Sequence, residues 1–530
     1  MTPSNVRWNP PWRGGNHRTF AAALVPLGFL AVFYVLPVGT VLAEGLSAGA
    51  VADVVRDERL RGIAWFTLWQ AVVSTALTVV VAVPVAVVLS RYRFRGRSIV
   101  WALVTVPFVL PSVVVAAAFV AVFDRGGPLA SLDLVPGVAA ILMAHVHFNV
   151  AVVARTVAAA LATVDPQLED AARMLGASRT EALRRVTLPL VRPALVSASS
   201  IVFLFTFTSF GAVLLLGGPR RVTIDVEIWR QTEYLLDLRT AAGLSVLQLL
   251  AVVAAVLVSG RLQARATPRR QRDASRPLRP AALLVLAPVL LFLVAPIVVT
   301  AYRSVDGLGL DGYRALWSAR EGSTLFVDPA DAVRNSLTFA IAATAIALVV
   351  GGCTALLRGR TVDALLLLPL GTSAVTVGLG FLLALDEPPL DLRDSLLLVP
   401  IAQALVALPL VVRTLVPVLG GIDDRQRQAA ASLGAGPLRT FATVDLPVMW
   451  RPLTAAAGFA FAVSLGEFGA TSFLAREEHP TLPIVIFRLI GHPGAMNYGM
   501  ALAASVVLAA TTAAVMLVVE RLWVSSLGAL

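Results

Sequence analysis

The chain has 530 residues, 58% hydrophobic and 14% charged, and its formal net charge of +11 is carried on the basic side by arginine alone, since no lysine occurs. Apolar runs of about 20 residues or more, separated by short charged stretches, exclude a soluble multidomain protein, because such runs satisfy their backbone only as lipid-embedded helices. Without lysine there is neither a P-loop to hold nucleotide phosphates nor a Schiff-base amine, so any ATP must be handled elsewhere. Since no paired carboxylates or His-Glu metal motif recur in the spans, the chain is expected to be no enzyme and to bind no cofactor itself.

In chain order, the candidate spans fall near 20–43, 62–90, 98–123, 136–161, 194–217, 240–260, 281–302, 335–357, 362–385, 395–419, 453–475 and 499–520. The expected fold is therefore all-α and integral to the membrane, with about twelve transmembrane helices in two parallel six-helix halves. The first span is too long and too late for a signal-peptide core, and Arg7, Arg13 and Arg18 ahead of it predict a cytoplasmic N-terminus. Arg91, Arg93, Arg95 and Arg97 crowd the loop after the second span, whereas the next loop holds only Arg125. Residues 261–280 form an Arg/Pro-rich stretch that reads as a cytoplasmic linker in contact with lipid headgroups. Both termini are then expected to face the cytoplasm. The arginines sit between spans and serve topology, so no nucleic-acid partner is expected.

Cys353 is the single cysteine, which rules out a disulfide or a thiolate metal cluster within the chain. His145 and His147 are two residues apart in an apolar span and project to different sides of a helix, so no metal site is expected there.

The two halves, 1–260 and 281–530, repeat each other, most plainly in two loops at 162–192 and 420–451. Asp170-Ala171-Ala172, Gly176 and Leu188-Pro189 in the first correspond to Gln428-Ala429-Ala430, Gly434 and Leu446-Pro447 in the second. The offset is 434 − 176 = 258 for the glycines and 447 − 189 = 258 for the prolines. The same offset pairs Arg155 with Arg413, Ser209-Phe210-Gly211 with Glu467-Phe468-Gly469, and Thr223 to Arg230 with Thr481 to Arg488. An even number of spans per repeat inserts both copies in one orientation, with a pathway expected between them. In the first loop Asp165 is placed to cap a short helix opened by Pro166, with Leu168, Ala171, Ala172 and Leu175 along one apolar stripe. Gly176 is expected to end that helix, Ser178 and Glu181 to form a capping box for a second, and Pro189 to stop it. Two capped, small-residue helical faces suit docking onto a cytoplasmic partner.

This doubled pattern resembles the EAA loop of binding-protein-dependent ABC permeases, with Asp170 and Gln428 where the family has Glu. The resemblance implies a type I importer permease that meets a homodimer of ATP-binding subunits at these loops and an extracytoplasmic solute-binding protein outside. ATP and Mg would be held by the partner ATPase. A charge at Asp170 but not at Gln428 implies unequal loops. The competing class is a secondary transporter with two parallel six-helix halves, which has no need of a repeated capped helix pair. Phe205 to Pro219 with Val226-Glu227-Ile228-Trp229 resembles fused thiamine permeases, whereas Ser464 to Phe473 with Thr481-Leu482-Pro483 resembles fused ferric-iron permeases. Ser209, Phe210, Glu467 and Phe468 are the candidate pathway residues, and the carboxylate of Glu467 within a span points to a cationic solute.

Overall fold

The computed structural model describes residues 16–262, 276–277, 280–317, 328–357, 365–366, 368–386 and 390–524. The chain opens with α1 (Asn16–Leu30), a π-helical turn at Ala31–Val35 and α2 (Leu36–Leu46), which together make the first span. A short α3 (Ala50–Arg56) leads to α4 (Glu58–Arg91), whose first turn is capped by Asp57 accepting from the backbone N–H of Leu60 at 2.9 Å. At 1.5 Å per residue α4 is about 50 Å long, more than the hydrocarbon core requires. The third expected span is a bent pair, α5 (Arg97–Val109) and α6 (Ser112–Phe123), turned by 103° where Leu110 and Pro111 leave helical geometry. Then come α7 (Val138–Thr163), α8 (Pro166–Met174), α9 (Arg179–Ala182), α10 (Leu188–Phe207), α11 (Gly211–Leu216), α12 (Ile224–Glu233) and α13 (Leu238–Leu262).

The second repeat begins with α14 (Pro280–Arg303), α15 (Asp311–Ala315), α16 (Pro329–Leu357) and α17 (Ala374–Ala384). It continues through α18 (Leu398–Gly421), α19 (Asp424–Ser432), α20 (Pro437–Thr440), α21 (Leu446–Gly466), α22 (Thr471–Leu474), α23 (Leu482–Gly491) and α24 (Ala495–Val524). Two two-residue strands, β1 (Tyr92–Arg93) and β2 (Arg276–Pro277), pair in parallel.

Among the described residues ten helices are long and apolar enough to cross a membrane, or eleven if the bent pair counts as one span. With the bent pair taken as one span, eleven of the twelve expected spans are matched. The span expected at 362–385 lies partly outside the described residues, and what is described there is a 3-10 turn at Leu368–Gly371 and the 11-residue α17. The spans expected at 194–217 and 453–475 start earlier and stop earlier, at Phe207 and Gly466, because the chain breaks there inside a continuous apolar run that hydropathy reads as one segment. Most of the arginine linker, 263–275 and 278–279, lies outside the described residues, as do Arg7 and Arg13.

The chain forms two compact units that do not follow its linear halves. One comprises residues 1–43, 330–482 and 510–530, the other 44–329 and 483–509. In the second of these, Ala82, Val85, Ala86 and Leu89 of α4 pack with Val150, Val153, Ala154 and Val157 of α7, with Ala198 and Val202 of α10, and with Leu286 and Leu293 of α14. In the first, Ala343 and Ala347 of α16, Ala404, Ala407 and Val411 of α18 and Ala456 and Ala460 of α21 form the centre, and Phe29 of α1 packs on it. Valine and alanine lead the one core and alanine the other; lipid gives no hydrophobic drive between helices, so association rests on close van der Waals approach, which the alanines permit.

The same rule gives a paired test. A Cβ at Gly45 would lie 2.6 Å from the carbonyl oxygen of Ala242, which cannot move without breaking α13, whereas a Cβ at Gly62 in α4 meets nothing within 4 Å. Gly45→Leu should therefore cost about 1–3 kcal/mol or more through overpacking. Gly62→Ala should be neutral or stabilising by about 0.5–1 kcal/mol. Thermal denaturation of the two variants in detergent checks the ordering.

Candidate functional site

The two repeated loops fold alike. In the first, the Asp165 carboxylate accepts from the N–H of Gln167 at 3.0 Å, capping α8. At the other end the N–H of Ala177 donates to the carbonyl of Ala172 at 3.1 Å and that of Gly176 to Arg173 at 3.0 Å, the two bonds of a Schellman motif. In the second loop Asp423 accepts from Arg425 at 2.9 Å, Ala435 donates to Ala430 at 3.0 Å and Gly434 to Ala431 at 2.9 Å. Gly176 and Gly434 have φ of +92° and +81°, and an added Cβ at either would meet nothing within 4 Å. These glycines are therefore required by backbone angle and not by space.

The second short helix differs from the expectation. Ser178 and Glu181 do form the capping box, with Ser178 N–H to the Glu181 carboxylate at 3.0 Å and Glu181 N–H to the Ser178 hydroxyl at 3.2 Å. Pro189, however, does not stop the helix: a π-helical turn at Leu183–Thr187 carries α9 into α10, and a matching turn at Phe441–Asp445 carries α20 into α21 ahead of Pro447. Proline lacks an N–H and crowds the carbonyl four residues back, and a locally widened turn admits the ring without ending the helix. The segment after each glycine is thus the opening of a membrane helix, with Leu188 and Leu446 at the joint.

Each loop presents bare apolar side chains among its polar ones. Leu168, Ala171 and Leu175 of the expected stripe are exposed, as is Asp170, and Ala172 is half-buried, so the stripe exists and lies largely open. Met174 and Leu175 are 83% and 90% exposed, and in the second loop Leu433 and Leu438 are 89% and 86% exposed. Gln428 and Ala430 are half-buried and Ala429 is exposed.

A pair of contacts that sequence reasoning missed holds each loop to the membrane helix after it. The carboxylate of Glu169 in α8 accepts from the Thr187 hydroxyl, just ahead of α10, and from the guanidinium of Arg91 at the end of α4. At the same register, the Arg427 guanidinium in α19 donates to Asp445, just ahead of α21, at 2.8 Å, and to Asp424 at 2.8 Å. Arg427 and Asp445 are both buried, and Arg427 also reaches the carbonyl of Ile422 at 3.3 Å. The signal available in the sequence was the offset itself: 169 + 258 = 427 and 187 + 258 = 445, so Glu with Thr in one copy stands where Arg with Asp stands in the other.

The candidate pathway residues lie at the two breaks that end α10 and α21. Ser209 lies 2.8 Å from Nε2 of His145, whose Nδ1 is 3.0 Å from the hydroxyl of Ser74, so one imidazole ties α4, α7 and the break together. Nε2 of His147 donates instead to the carbonyl of Leu293 at 2.9 Å, and its ring packs edge-on to Phe119 and Phe292. The hydroxyl of Thr223 donates to the carbonyl of Ser209 at 3.1 Å. Phe210 is buried with its ring edge-on to Trp229 at 6.0 Å.

In the second repeat Glu467 is buried, and its carboxylate accepts from the N–H groups of Ala470 at 2.8 Å and Thr471 at 2.9 Å and from the Thr471 hydroxyl. It caps α22. Phe468 is buried beside it, and Gly469 is packed so closely that a Cβ would lie 3.0 Å from that of Ala374. A second feature repeats across the breaks. The first N–H of α12, at Ile224, donates to the Thr67 hydroxyl at 3.0 Å, and that of α23, at Leu482, to the Ser336 hydroxyl at 2.7 Å.

An all-helical, multi-pass chain that carries two capped, outward-facing loops at a fixed repeat, with no nucleotide loop of its own, is the membrane-spanning permease of an ABC importer. Residues 78–272, which take in the first loop, match the family described as binding-protein-dependent transport system inner membrane component. The chain is 30% identical over 503 residues to the thiamine transport system permease protein ThiP of Salmonella typhimurium, covering 89% of this chain and 90% of that one. Identity to the ThiP proteins of Brucella abortus and Escherichia coli is 29% over 500 residues and 28% over 516, covering 88% and 91% of this chain and 89% and 92% of theirs. The chain belongs to this family of inner-membrane transport permeases, and it is a transport component and not an enzyme. Permeases of the family work with an ATP-hydrolysing subunit and a solute-binding protein.

Two outcomes are expected from the site. Asp445→Ala leaves the Arg427 guanidinium buried with only Asp424 and carbonyls for company, which should cost about 3 kcal/mol. Adding Arg427→Met should recover part of that loss, as judged by monodispersity and melting of the purified permease. Glu467→Ala strips the acceptor from two buried N–H groups, at about 1–3 kcal/mol each. It should lower the amount of folded permease while uptake per folded molecule is retained. Full folding with lost uptake would instead make the carboxylate part of the pathway.

Proposed function

We propose that this chain forms the translocation pathway of an ATP-driven thiamine importer in the bacterial inner membrane. Two identical ATPase subunits take up the loops around Gly176 and Gly434, and an extracytoplasmic binding protein delivers the vitamin. Both termini face the cytoplasm, and ATP and Mg are handled by the ATPase alone. On this reading Asp170, Ala171, Ala172, Gly176, Leu188 and Pro189, with Gln428, Ala429, Ala430, Gly434, Leu446 and Pro447, form the coupling elements.

The observation that carries the reading is the exposure of Met174, Leu175, Leu433 and Leu438 at the tips of loops that are rigidly capped at both ends. A solvated loop connecting two spans has no use for bare leucines held in place, whereas a cleft in a partner does. Thiamine follows from the relatives, all three of which are named as thiamine permeases and are matched over nearly their full length. Thiamine is a cationic aromatic solute, and its assignment rests on these relatives and not on Glu467, whose carboxylate is taken up by the N–H groups of Ala470 and Thr471.

Reconstitution with the ATPase and the binding protein in proteoliposomes should give ATP-dependent uptake of labelled thiamine and not of ferric iron. Gly176→Val with Gly434→Val forces β-branched residues to positive φ at a cost of roughly 1–2 kcal/mol each, and should reduce uptake about tenfold or more. Asn at the same two positions, which tolerates such angles, should retain most of it. Equal uptake by the Val and Asn pairs would remove the loops from coupling.

A further inference from the structure

Each coupling helix is short. Residues Pro166–Met174 and Asp424–Ser432 make only nine-residue helices, which would not hold their shape in water without support. The Schellman glycine at one end of each is a bend and not a strut, and the apolar faces are turned outward. A push on such a helix would be lost in the loop unless something stiff linked it to the membrane helix beyond.

Resting on the coupling role given above, we propose that Glu169 with Thr187 and Arg91, and Arg427 with Asp445 and Asp424, are two versions of one brace that transmits coupling-helix movement into the membrane. Both versions join the fourth residue of the coupling helix to the last residue of the π-helical turn. Both use a charge, so the bonds are stiff and directional. The polarity is inverted: an anion on α8 takes the Thr187 hydroxyl, and a cation on α19 takes the Asp445 carboxylate.

The versions differ in reach. The first recruits Arg91 from the end of α4, so the first coupling helix is tied to two membrane helices. The second closes on itself through Asp424 in its own first turn, and its farther bonds are to the carbonyls of Ile422 and Leu419 at the end of α18. The first brace is partly solvated, with 26% of Arg91 and 14% of Glu169 exposed, whereas Arg427 and Asp445 are 1% and 2% exposed. Glu169, Thr187 and Arg91 are positioning residues and are the ones open to test without a buried charge being stranded.

The experiment uses the full complex of permease, ATPase and binding protein in proteoliposomes, with thiamine uptake, ATP hydrolysis and ATPase retention on affinity-tagged permease measured together. Glu169→Ala should keep the ATPase bound but lower thiamine taken up per ATP hydrolysed by about tenfold, the scale of one charge-assisted hydrogen bond. Glu169→Gln, which still accepts from Thr187 but carries no charge for Arg91, should fall between Ala and wild type. Arg91→Lys should be close to wild type and Arg91→Ala should resemble Glu169→Gln. Should Glu169→Ala fail to insert, Thr187→Val, which deletes one hydroxyl, gives the same readout and should show a smaller drop in uptake per ATP.

Unchanged uptake per ATP in Glu169→Ala, or in Thr187→Val where it substitutes, overturns the brace. A drop in uptake that merely follows loss of ATPase from the tagged permease also overturns it, since the residue then acts in docking. In that case the coupling loops themselves stand. Wild-type permease that retains no ATPase at all would instead overturn the reading on which the brace rests.

Discussion

A helix that breaks inside a bilayer must find partners for its freed N–H and C=O groups within the protein, because the hydrocarbon offers none. This requirement shapes the molecule wherever the helices are interrupted. The break after α21 is closed by the Glu467 carboxylate on two N–H groups, and the start of α17 by the Ser373 hydroxyl on Val375 at 3.1 Å. The first N–H groups of α12 and α23 are taken by hydroxyls from α4 and α16. Thr67, Ser336 and Glu467, which stand out as polar residues in apolar segments, are each explained by the backbone N–H they satisfy.

The repeat shows which of these solutions are interchangeable. Gly176 and Gly434 are the same residue in both copies because the left-handed angle costs glycine least and leaves Asn or Asp as the nearest substitutes. Ser209 and Glu467 occupy one position and do different things: the serine joins a His145-centred chain between helices, and the glutamate caps the helix that follows it. The pairs Glu169 with Thr187 and Arg427 with Asp445 show the third case, in which the link persists while the sign of its charge reverses. A contact between two side chains can invert, since both partners can change; a contact between a side chain and the backbone cannot, because a carboxylate that accepts from N–H groups has no cationic substitute.

The π-helical turns before Pro189 and Pro447 belong to the same logic. They let the chain run from an exposed loop into a membrane helix without a stop, so the coupling segment and the membrane helix are one continuous object beyond the glycine. Each loop turns at its glycine, and the braced contacts lie across that turn.

Residue pattern alone determined the class of molecule, the approximate spans, the repeat at 258 residues and the caps around Asp165, Gly176 and Ser178, because hydropathy, capping and glycine angles act over a few residues along the chain. It also placed Ser209 and Glu467 as unusual without showing what they touch. Tertiary structure decided the rest. Hydropathy averages over a window, so it ran spans five and eleven through breaks at Thr208 and Glu467, and the local proline rule ended at Pro189 a helix that a widened turn continues. Arg91 and Thr187 on Glu169, Ser74 and Ser209 on His145, and Asp445 on Arg427 come from 18 to 78 positions away, and only packing brings them within bonding distance. The compact units, too, combine segments from both halves of the chain, since small residues pack with whatever small residues the fold brings beside them and not with their neighbours in sequence.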